Sequence, residues 1–236
     1  LPIKITTGLH TGCDKLLVPA DSPIKTVADF KGKRIGVPSL ASSPVMFARR
    51  VLAAGGIGVS DKNLEVEFLV FSNAELPLAL ERGAIDAIAA NDPVASVAAK
   101  QYGLNILADS ALTEPYNTQY CCSAYVSADL AAKNPEAAAK YTRAMQKASA
   151  WIQGHQDEVT QIQVEKNYVP GDPVFNASVL KTFNYIPSVK GAYDAFGITA
   201  RELQAIGILA ADIDVSALRE NSFVALPGVA DTVAAP

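Results

Sequence analysis

Residues 33–56 read KRIGVPSLASSPVMFARRVLAAGG, and this stretch predicts a strand, a turn and a helix in succession. The strand is expected at 33–37 and the helix at 45–54. Ser42 or Ser43 is a suitable N-cap, because the proline that follows can occupy the first helical position. The glycine pair after the helix ends it, since glycine readily takes positive φ. A strand joined to a helix by a short turn is the repeating unit of an α/β sheet.

The same alternation continues along the chain to residue 108. Apolar and acidic residues alternate over 64–71, which is typical of a half-buried strand, and apolar runs predict strands at 85–90 and 104–108. Helices are expected between them, at 74–82 and 93–100. Strands that alternate with helices at these spacings favour a mostly parallel sheet with right-handed crossovers. The predicted fold class is therefore α/β.

After Asp109 the alternation ends, and a polar connector at 113–120 leads to one strand at 121–127 and then mostly to helix. The chain is therefore expected to cross twice between two units. We expect residues 1–30 and 110–236 to form lobe one with the C-terminal helices, and residues 31–109 to form lobe two. Two crossings are what a hinge-bending clamshell requires.

The composition excludes several classes of protein. The chain has 236 residues, of which 50% are hydrophobic and 19% charged, so it can bury a core and is not disordered. Its net charge of −4 disfavours nucleic acid and anionic membranes as partners. No apolar run approaches the roughly 18–20 residues that span a bilayer, and the first residues do not read as a signal peptide. The alanine-rich tail at 229–236 is expected to fray.

The number and spacing of the cysteines and histidines do not indicate a reactive centre. Three cysteines are too few for a disulfide framework, and their spacing is wrong for a zinc site. No carboxylate pair or nucleophile–base pair is evident, so no catalytic residue, cofactor or metal is expected and the chain is predicted not to be an enzyme.

Four stretches carry a resemblance to a known family. They are LVPADSPIKTVADFKGKRIGV at 17–37, ERGAIDAIAANDP at 81–93, KNPEAAAK at 133–140 and ASAWI at 148–152. In order and spacing they resemble the periplasmic solute-binding proteins of ABC transporters, of the type that binds nitrate, sulfonate and taurine and includes thiamine-pyrimidine relatives. The resemblance implies a type II periplasmic-binding-protein fold, with two α/β lobes joined by a hinge.

The resemblance also implies a function and a location. The chain would be the substrate-binding component of an ABC importer, capturing a small polar or anionic solute, or a heterocyclic amine, in an interlobe cleft. It would work outside the cytoplasm with a membrane permease as partner. Family members usually begin with more residues of lobe one, so lobe one is expected to be incomplete and to associate with another chain. The alternatives are a thiamine-pyrimidine synthase-like enzyme and a sensory ligand-binding module.

The candidate ligand-binding residues follow strands or lie near the return crossing. They are His10, Thr11, Ser39, Ser42, Ser43, Asn91, Asp92, Tyr116 and Tyr120. The serines would offer hydroxyls beside a helix N-terminus, which attracts anions, or would only cap the helix. Asn91 or Asp92 would contact the solute, or cap the helix that begins at Pro93.

The remaining candidates have structural alternatives as well. His10 and Thr11 lie in a glycine-bracketed segment at 8–13, which is expected to turn sharply after a strand at 3–7. The two tyrosines would stack on a bound ring, or only pack the connector.

In the family fold, Cys13 starts the segment that leads out to lobe two, and Cys121 starts the segment that returns. Cys13 is therefore a disulfide candidate with Cys121 or Cys122, and three buried thiols are the alternative. Because the resemblance also brings the segment of His10 close to Cys121 and Cys122, a thiol–metal site made of His10, Cys13, Cys121 and Cys122 is a further alternative. Adjacent strand residues point to opposite faces, so only one of the pair Cys121 and Cys122 is expected to face Cys13.

Overall fold

A computed structural model describes residues 2–234 of the chain. The strands are β1 (Ile3–Thr11), β2 (Asp14–Val18), β3 (Arg34–Val37), β4 (Val59–Ser60), β5 (Asn63–Leu64), β6 (Glu67–Val70), β7 (Ala87–Asn91), β8 (Asn105–Asp109) and β9 (Tyr120–Ser127). The helices are α1 (Ser43–Ala54), α2 (Leu76–Glu81), α3 (Val94–Tyr102), α4 (Ala128–Lys133), α5 (Pro135–Ile152), α6 (Gln156–Glu165), α7 (Pro173–Leu180), α8 (Val189–Ala205) and α9 (Val215–Ser222). The mixture of helices and sheet confirms the α/β class.

These elements group into two compact units. Of the described residues, unit 1 comprises 2–12, Thr118–Arg201 and 212–234, and unit 2 comprises Cys13–Asn117 and Glu202–Ala211. Residues 13–30, which the sequence assigns to lobe one, therefore pack within unit 2. Their position follows from β2, because this strand is hydrogen-bonded into the unit 2 sheet.

Unit 2 is built on a five-stranded sheet with the order β6-β3-β7-β2-β8. β3 pairs in parallel with β6 and β7, as the strand–helix alternation predicts. β2 runs antiparallel to both of its neighbours, β7 and β8. The expectation of a mostly parallel sheet therefore misses β2, whose five residues are all buried.

Both faces of this sheet are covered by apolar packing. Side chains alternate along β2, so Leu16 and Val18 join the α1 side of the core while Leu17 joins the α2 and α3 side. Gly36 lets the Ile85 side chain pack closely against the β3 backbone, since a Cβ on residue 36 would lie 2.3 Å from Ile85 Cδ1. Burying one leucine side chain contributes about 1.5–3 kcal/mol to folding stability. Burial of the β2 side chains on both faces of the sheet therefore stabilises this strand in its place.

Unit 1 pairs two long strands and packs helices around them. β1 runs antiparallel to β9, from Ile3 opposite Ser127 to Thr11 opposite Tyr120. Asn134 caps the long helix α5, because its side chain accepts a hydrogen bond from the Ala137 amide. β1 extends four residues beyond its predicted end, so His10 lies in a strand and not in a turn.

The C-terminal tail is held against α8 in the part of the chain that the structure describes. Asp231 accepts hydrogen bonds from the Val189 amide through its carbonyl, and from the Lys190 amide and the Ser188 hydroxyl through its carboxylate. The prediction that 229–236 frays is therefore wrong at this point, and residues 235 and 236 lie outside the described range. Across residues 2–234, no helix combines the length and apolarity that crossing a membrane demands.

Candidate functional site

The first candidate region lies in unit 2, where β3 ends and α1 begins. Ser42 is the N-cap residue, as predicted, but its side chain makes no capping hydrogen bond. Its hydroxyl donates instead to the Ser39 carbonyl at 2.6 Å, and the Ser39 hydroxyl accepts from the Ala41 amide at 3.3 Å. The first-turn amides of α1 are therefore not capped by the serine that precedes them. Such a helix N-terminus attracts negative charge.

A carboxylate already lies beside this helix N-terminus. The Ser43 hydroxyl donates to Asp14 Oδ1 at 3.0 Å, and Asp14 is buried at the start of β2. Asp14 is the cross-strand partner of Asn91, the last residue of β7. Asn91 is exposed, so its amide is accessible to a solute. This edge of the sheet thus offers both donors and acceptors.

Asp92 does not belong to that exposed edge. Its side chain is 1% exposed, and Oδ2 lies 3.0 Å from the buried Lys15 Nζ. Its Oδ1 accepts a hydrogen bond from the Ser96 amide at 3.0 Å, so the helix-capping alternative is the one observed. Burial raises the pKa of Asp92, while the charge of Lys15 and the hydrogen bonds from Ser96 and Lys15 act in the opposite direction. An accessible carboxylate at this position is therefore absent.

Lys15 connects Asp92 to a second buried carboxylate, Asp109. The Lys15 ammonium hydrogen-bonds Asp109 Oδ2, and Asp109 Oδ1 accepts from the Ala111 amide at 2.8 Å. We call Lys15, Asp92 and Asp109 the lysine cluster. The sequence did not predict it, because β2 was not recognised as a strand. No local sequence signal marks the lysine cluster, because the burial of Asp14–Val18 depends on the strands that flank β2.

Two further candidates, Tyr116 and Thr11, pack against residues of their own unit. The Tyr116 ring is buried against Phe47, with centroids 5.1 Å apart, and the Arg50 guanidinium lies 4.8 Å from its centroid. Thr11 is buried in unit 1, where its hydroxyl accepts from the Asn184 amide at 3.4 Å. Both side chains pack within their own unit, and their assignment as solute contacts stays a prediction.

Tyr120 is also a packing residue within unit 1. Its ring fills the space beside two glycines, since a Cβ on Gly8 would lie 2.4 Å from Tyr120 Cδ1 and one on Gly191 2.3 Å from Cε2. Its hydroxyl donates to the Ile186 carbonyl. Burial raises the pKa of this hydroxyl. The ring thus packs within unit 1, where it is half-buried, and stacking on a solute stays a prediction.

His10 lies in a cluster that we call the thiol–imidazole cluster, formed by His10, Cys121 and Cys122. One potential ligand atom from each residue lies within 4.8 Å of the other two. The Cys121 thiol is 3.8 Å from His10 Nδ1 and 3.7 Å from the His10 carbonyl oxygen. Burial lowers the pKa of His10, but interactions with Cys122 and with the backbone at Thr11 and Gly12 outweigh it and raise the pKa overall.

The candidate disulfide is not formed, and the free-thiol alternative is the one observed. None of the three cysteines, all within residues 2–234, is in a disulfide. The physical reason lies in the register, because Cys122 pairs with His10 across the strands while β1 ends at Thr11, before Cys13. Cys13 is buried in unit 2, where its amide donates to the Ser110 hydroxyl at 2.9 Å.

Unit 1 contains a cavity of about 540 Å³ that the sequence did not predict. Its wall is largely apolar, with Tyr193 and Phe223 among the lining residues, and it carries two charged residues, Lys190 and Asp231. None of the predicted site residues lines it. Its residues come from β1, α8 and the C-terminal segment, which are far apart in sequence.

Comparison with known proteins identifies the family of this chain. The sequence profile of the NMT1-like family matches residues 12–164, which is more than half of the chain. The chain belongs to the NMT1-like family. The resemblance stated from the sequence is thereby confirmed.

A curated relative of this NMT1-like protein comes from Escherichia coli (strain K12) and is named as an aliphatic sulfonates-binding protein. The two are 34% identical over 94 residues, which is 40% of this chain and 28% of the relative. The alignment thus spans less than a third of the relative's length.

Solved structures share the fold of the NMT1-like protein. The periplasmic aliphatic sulphonate binding protein SsuA from Escherichia coli matches 97% of this chain and 71% of its own, with a TM-score of 0.70 and 20% identity. The periplasmic nitrate-binding protein NrtA from Synechocystis PCC 6803 matches 94% and 65%, with a TM-score of 0.75 and 16% identity. These matches confirm the periplasmic-binding-protein fold.

The same fold is also found in an enzyme. The desulfurization enzyme DSZB matches 94% of this chain and 79% of its own, with a TM-score of 0.61 and 19% identity. Fold alone therefore does not separate binding from catalysis.

Proposed function

We propose that this chain is the substrate-binding component of an ABC importer and captures a small polar or anionic solute. The observation that carries the proposal is its membership of the NMT1-like family, supported by sequence similarity to a protein named for binding aliphatic sulfonates. The proposed solute belongs to one of four classes: sulfonates, nitrate, taurine-like compounds or heterocyclic amines. Closure of two lobes around the solute remains a prediction from the sequence.

The proposed solute contacts in unit 2 are the accessible groups at the β3 and β7 ends. They are Ser39, Ser42, Ser43 and Asn91. The amides at the start of α1 suit an anionic oxygen. Asn91 adds an exposed side-chain amide whose oxygen can accept a hydrogen bond from an amine. A solute that carries both a sulfonate and an amine would match both features.

The proposal includes a location and a partner. The relatives SsuA and NrtA are periplasmic proteins by name, so we propose that this chain also works outside the cytoplasm and delivers its solute to a membrane permease. We also propose that it catalyses no reaction on the solute. The pyrimidine synthase-like and sensory alternatives are not favoured by these relatives.

A thermal-shift screen tests the proposal directly. The metal-free protein is melted with taurine, an alkanesulfonate, nitrate or a heterocyclic amine. A solute at 100 times its Kd should stabilise the fold by about 2.7 kcal/mol. The proposal fails if none of these solutes raises the melting temperature, or if the stabilising solute is chemically converted on incubation.

The contact residue is tested by a matched pair of variants. Asn91→Ala should weaken binding of the stabilising solute by roughly two- to tenfold, the effect of one hydrogen bond worth about 0.5–1.5 kcal/mol. Asn105→Ala is the control, because Asn105 is also exposed but begins β8. Equal weakening by both variants, measured by calorimetric titration, would remove Asn91 from the site.

A further inference from the structure

The thiol–imidazole cluster depends on an irregularity in the pairing of β1 and β9. The register shifts between Gly8 and His10 and again between His10 and Thr11. Neighbouring residues on a regular strand point to opposite faces, so a regular strand would separate the thiols of Cys121 and Cys122. Here both thiols lie within 4.8 Å of a His10 ring nitrogen and of each other. The irregular register thus brings three donor atoms together.

The spacing of these donors suits a tetrahedral metal ion. Zinc binds thiolates at about 2.3 Å and imidazole at about 2.0–2.1 Å, which places two donors of a tetrahedron about 3.4–3.8 Å apart. The Cys121 Sγ to His10 Nδ1 distance is 3.8 Å, and all three donors lie within 4.8 Å. Side-chain adjustments of about 1 Å would therefore complete the coordination geometry.

The surroundings support the same chemistry. The His10 ring stacks on Phe183, with centroids 5.5 Å apart and planes 5° apart, and also contacts Tyr185 at 4.9 Å. Both aromatic residues are buried, so they fix the plane of the imidazole. Two thiolates would neutralise a divalent ion, and a neutral site is compatible with the partial burial of all three residues.

We propose that His10, Cys121 and Cys122 form a binding site for Zn²⁺. Thiolate and imidazole ligands select thiophilic ions such as zinc over magnesium or calcium. Binding would form one metal–nitrogen bond and two metal–sulfur bonds and would release the two thiol protons to solvent. Three protein ligands leave the fourth tetrahedral position for water or another small ligand.

Cobalt titration of the reduced, metal-free protein tests the site. Co²⁺ should bind with a stoichiometry of one and produce thiolate-to-metal charge-transfer absorption, and Zn²⁺ should remove that absorption by displacement. Cobalt binding without charge-transfer absorption would overturn the proposal, because it would place the ion on oxygen ligands.

Variants identify the ligands. Cys121→Ser, Cys122→Ser and His10→Gln should each weaken Zn²⁺ binding by more than the roughly 10–100-fold that loss of an outer-shell partner costs. Cys13→Ser is the matched control and should bind like the original chain, because Cys13 is not one of the three clustered residues. Unchanged affinity in both cysteine variants of the cluster would also overturn the proposal.

A chemical readout covers the case in which a variant fails to fold. In the unsubstituted protein, bound Zn²⁺ should protect two of the three thiols from alkylation, and peptide mapping should identify them as Cys121 and Cys122. Protection of Cys13, or of no thiol, would contradict the proposed site. Because the solute screen uses metal-free protein, failure of one proposal leaves the other standing.

Discussion

The lysine cluster and the thiol–imidazole cluster of this molecule are built from different kinds of groups. The lysine cluster in unit 2 contains its own cation, because Lys15 pairs with Asp92 and Asp109 in the interior. The thiol–imidazole cluster in unit 1 gathers three groups that can ligate a metal ion, one imidazole and two thiols. The first is therefore complete without a bound ion, whereas the second is completed by one. Paired charges account for the lysine cluster by themselves, whereas two thiols and an imidazole form a ligand set that zinc can occupy.

The largest expected effect comes from removing the internal cation. Lys15→Met should destabilise the protein by about 3–5 kcal/mol, because two buried carboxylates lose their partner. Lys133→Met is the control, since the ion pair of Lys133 with Asp129 is exposed on both sides and should cost less than about 1 kcal/mol. Urea unfolding of both variants gives the two free energies.

A double variant sharpens this test. Adding Asp92→Asn to Lys15→Met should recover part of the lost stability, because it removes one unpaired charge. If the double variant is as unstable as the sum of the single variants, the lysine cluster is not a charge-paired unit.

The second effect concerns the metal. Zn²⁺ at 100 times its Kd should raise the free energy of unfolding by up to about 2.7 kcal/mol, less any affinity of the ion for the unfolded thiols. Cys122→Ser should abolish this gain, whereas Asp92→Asn should keep it. Melting curves with and without a chelator measure both. A gain that survives Cys122→Ser would mean that the ion binds elsewhere.

The sequence predicted most elements of unit 2 because periodicity and helix signals are local. Ser42, Pro44 and the glycines after Ala54 bound α1 as expected. β2 was missed because a five-residue strand with an aspartate and a lysine carries no such signal. The site residues were harder, since burial of Asp92 and Tyr116 depends on partners such as Lys15 and Phe47 that lie far away in sequence. The thiol–imidazole cluster depends on strand register, which no local pattern encodes.

The smallest expected effect is the pH dependence of folding stability that two aspartates of unit 2 contribute. Burial raises the pKa of Asp92 against the opposing charge of Lys15, which Asp109 shares. The hydrogen bond from Arg34, opposed only in part by desolvation, lowers the pKa of Asp86. A group with a raised folded pKa contributes stability below its unfolded pKa, near 3.8, and loses that contribution as the pH rises through the folded value. A group with a lowered folded pKa contributes stability above its unfolded pKa and loses it as the pH falls through the folded value.

The two variants should therefore respond to pH with opposite signs. Relative to the original chain, Asp92→Asn should become more stable as the pH rises above about 3.8, because it removes a carboxylate whose ionisation the fold disfavours. Asp86→Asn should become relatively less stable as the pH rises through the range below that value, because it removes a favourable ion pair. Urea unfolding at a series of pH values measures both differences. Slopes of the same sign would show that Lys15 stabilises the ionised form of Asp92 by more than burial opposes it, and the lysine cluster would then resemble the surface ion pair of Arg34 and Asp86.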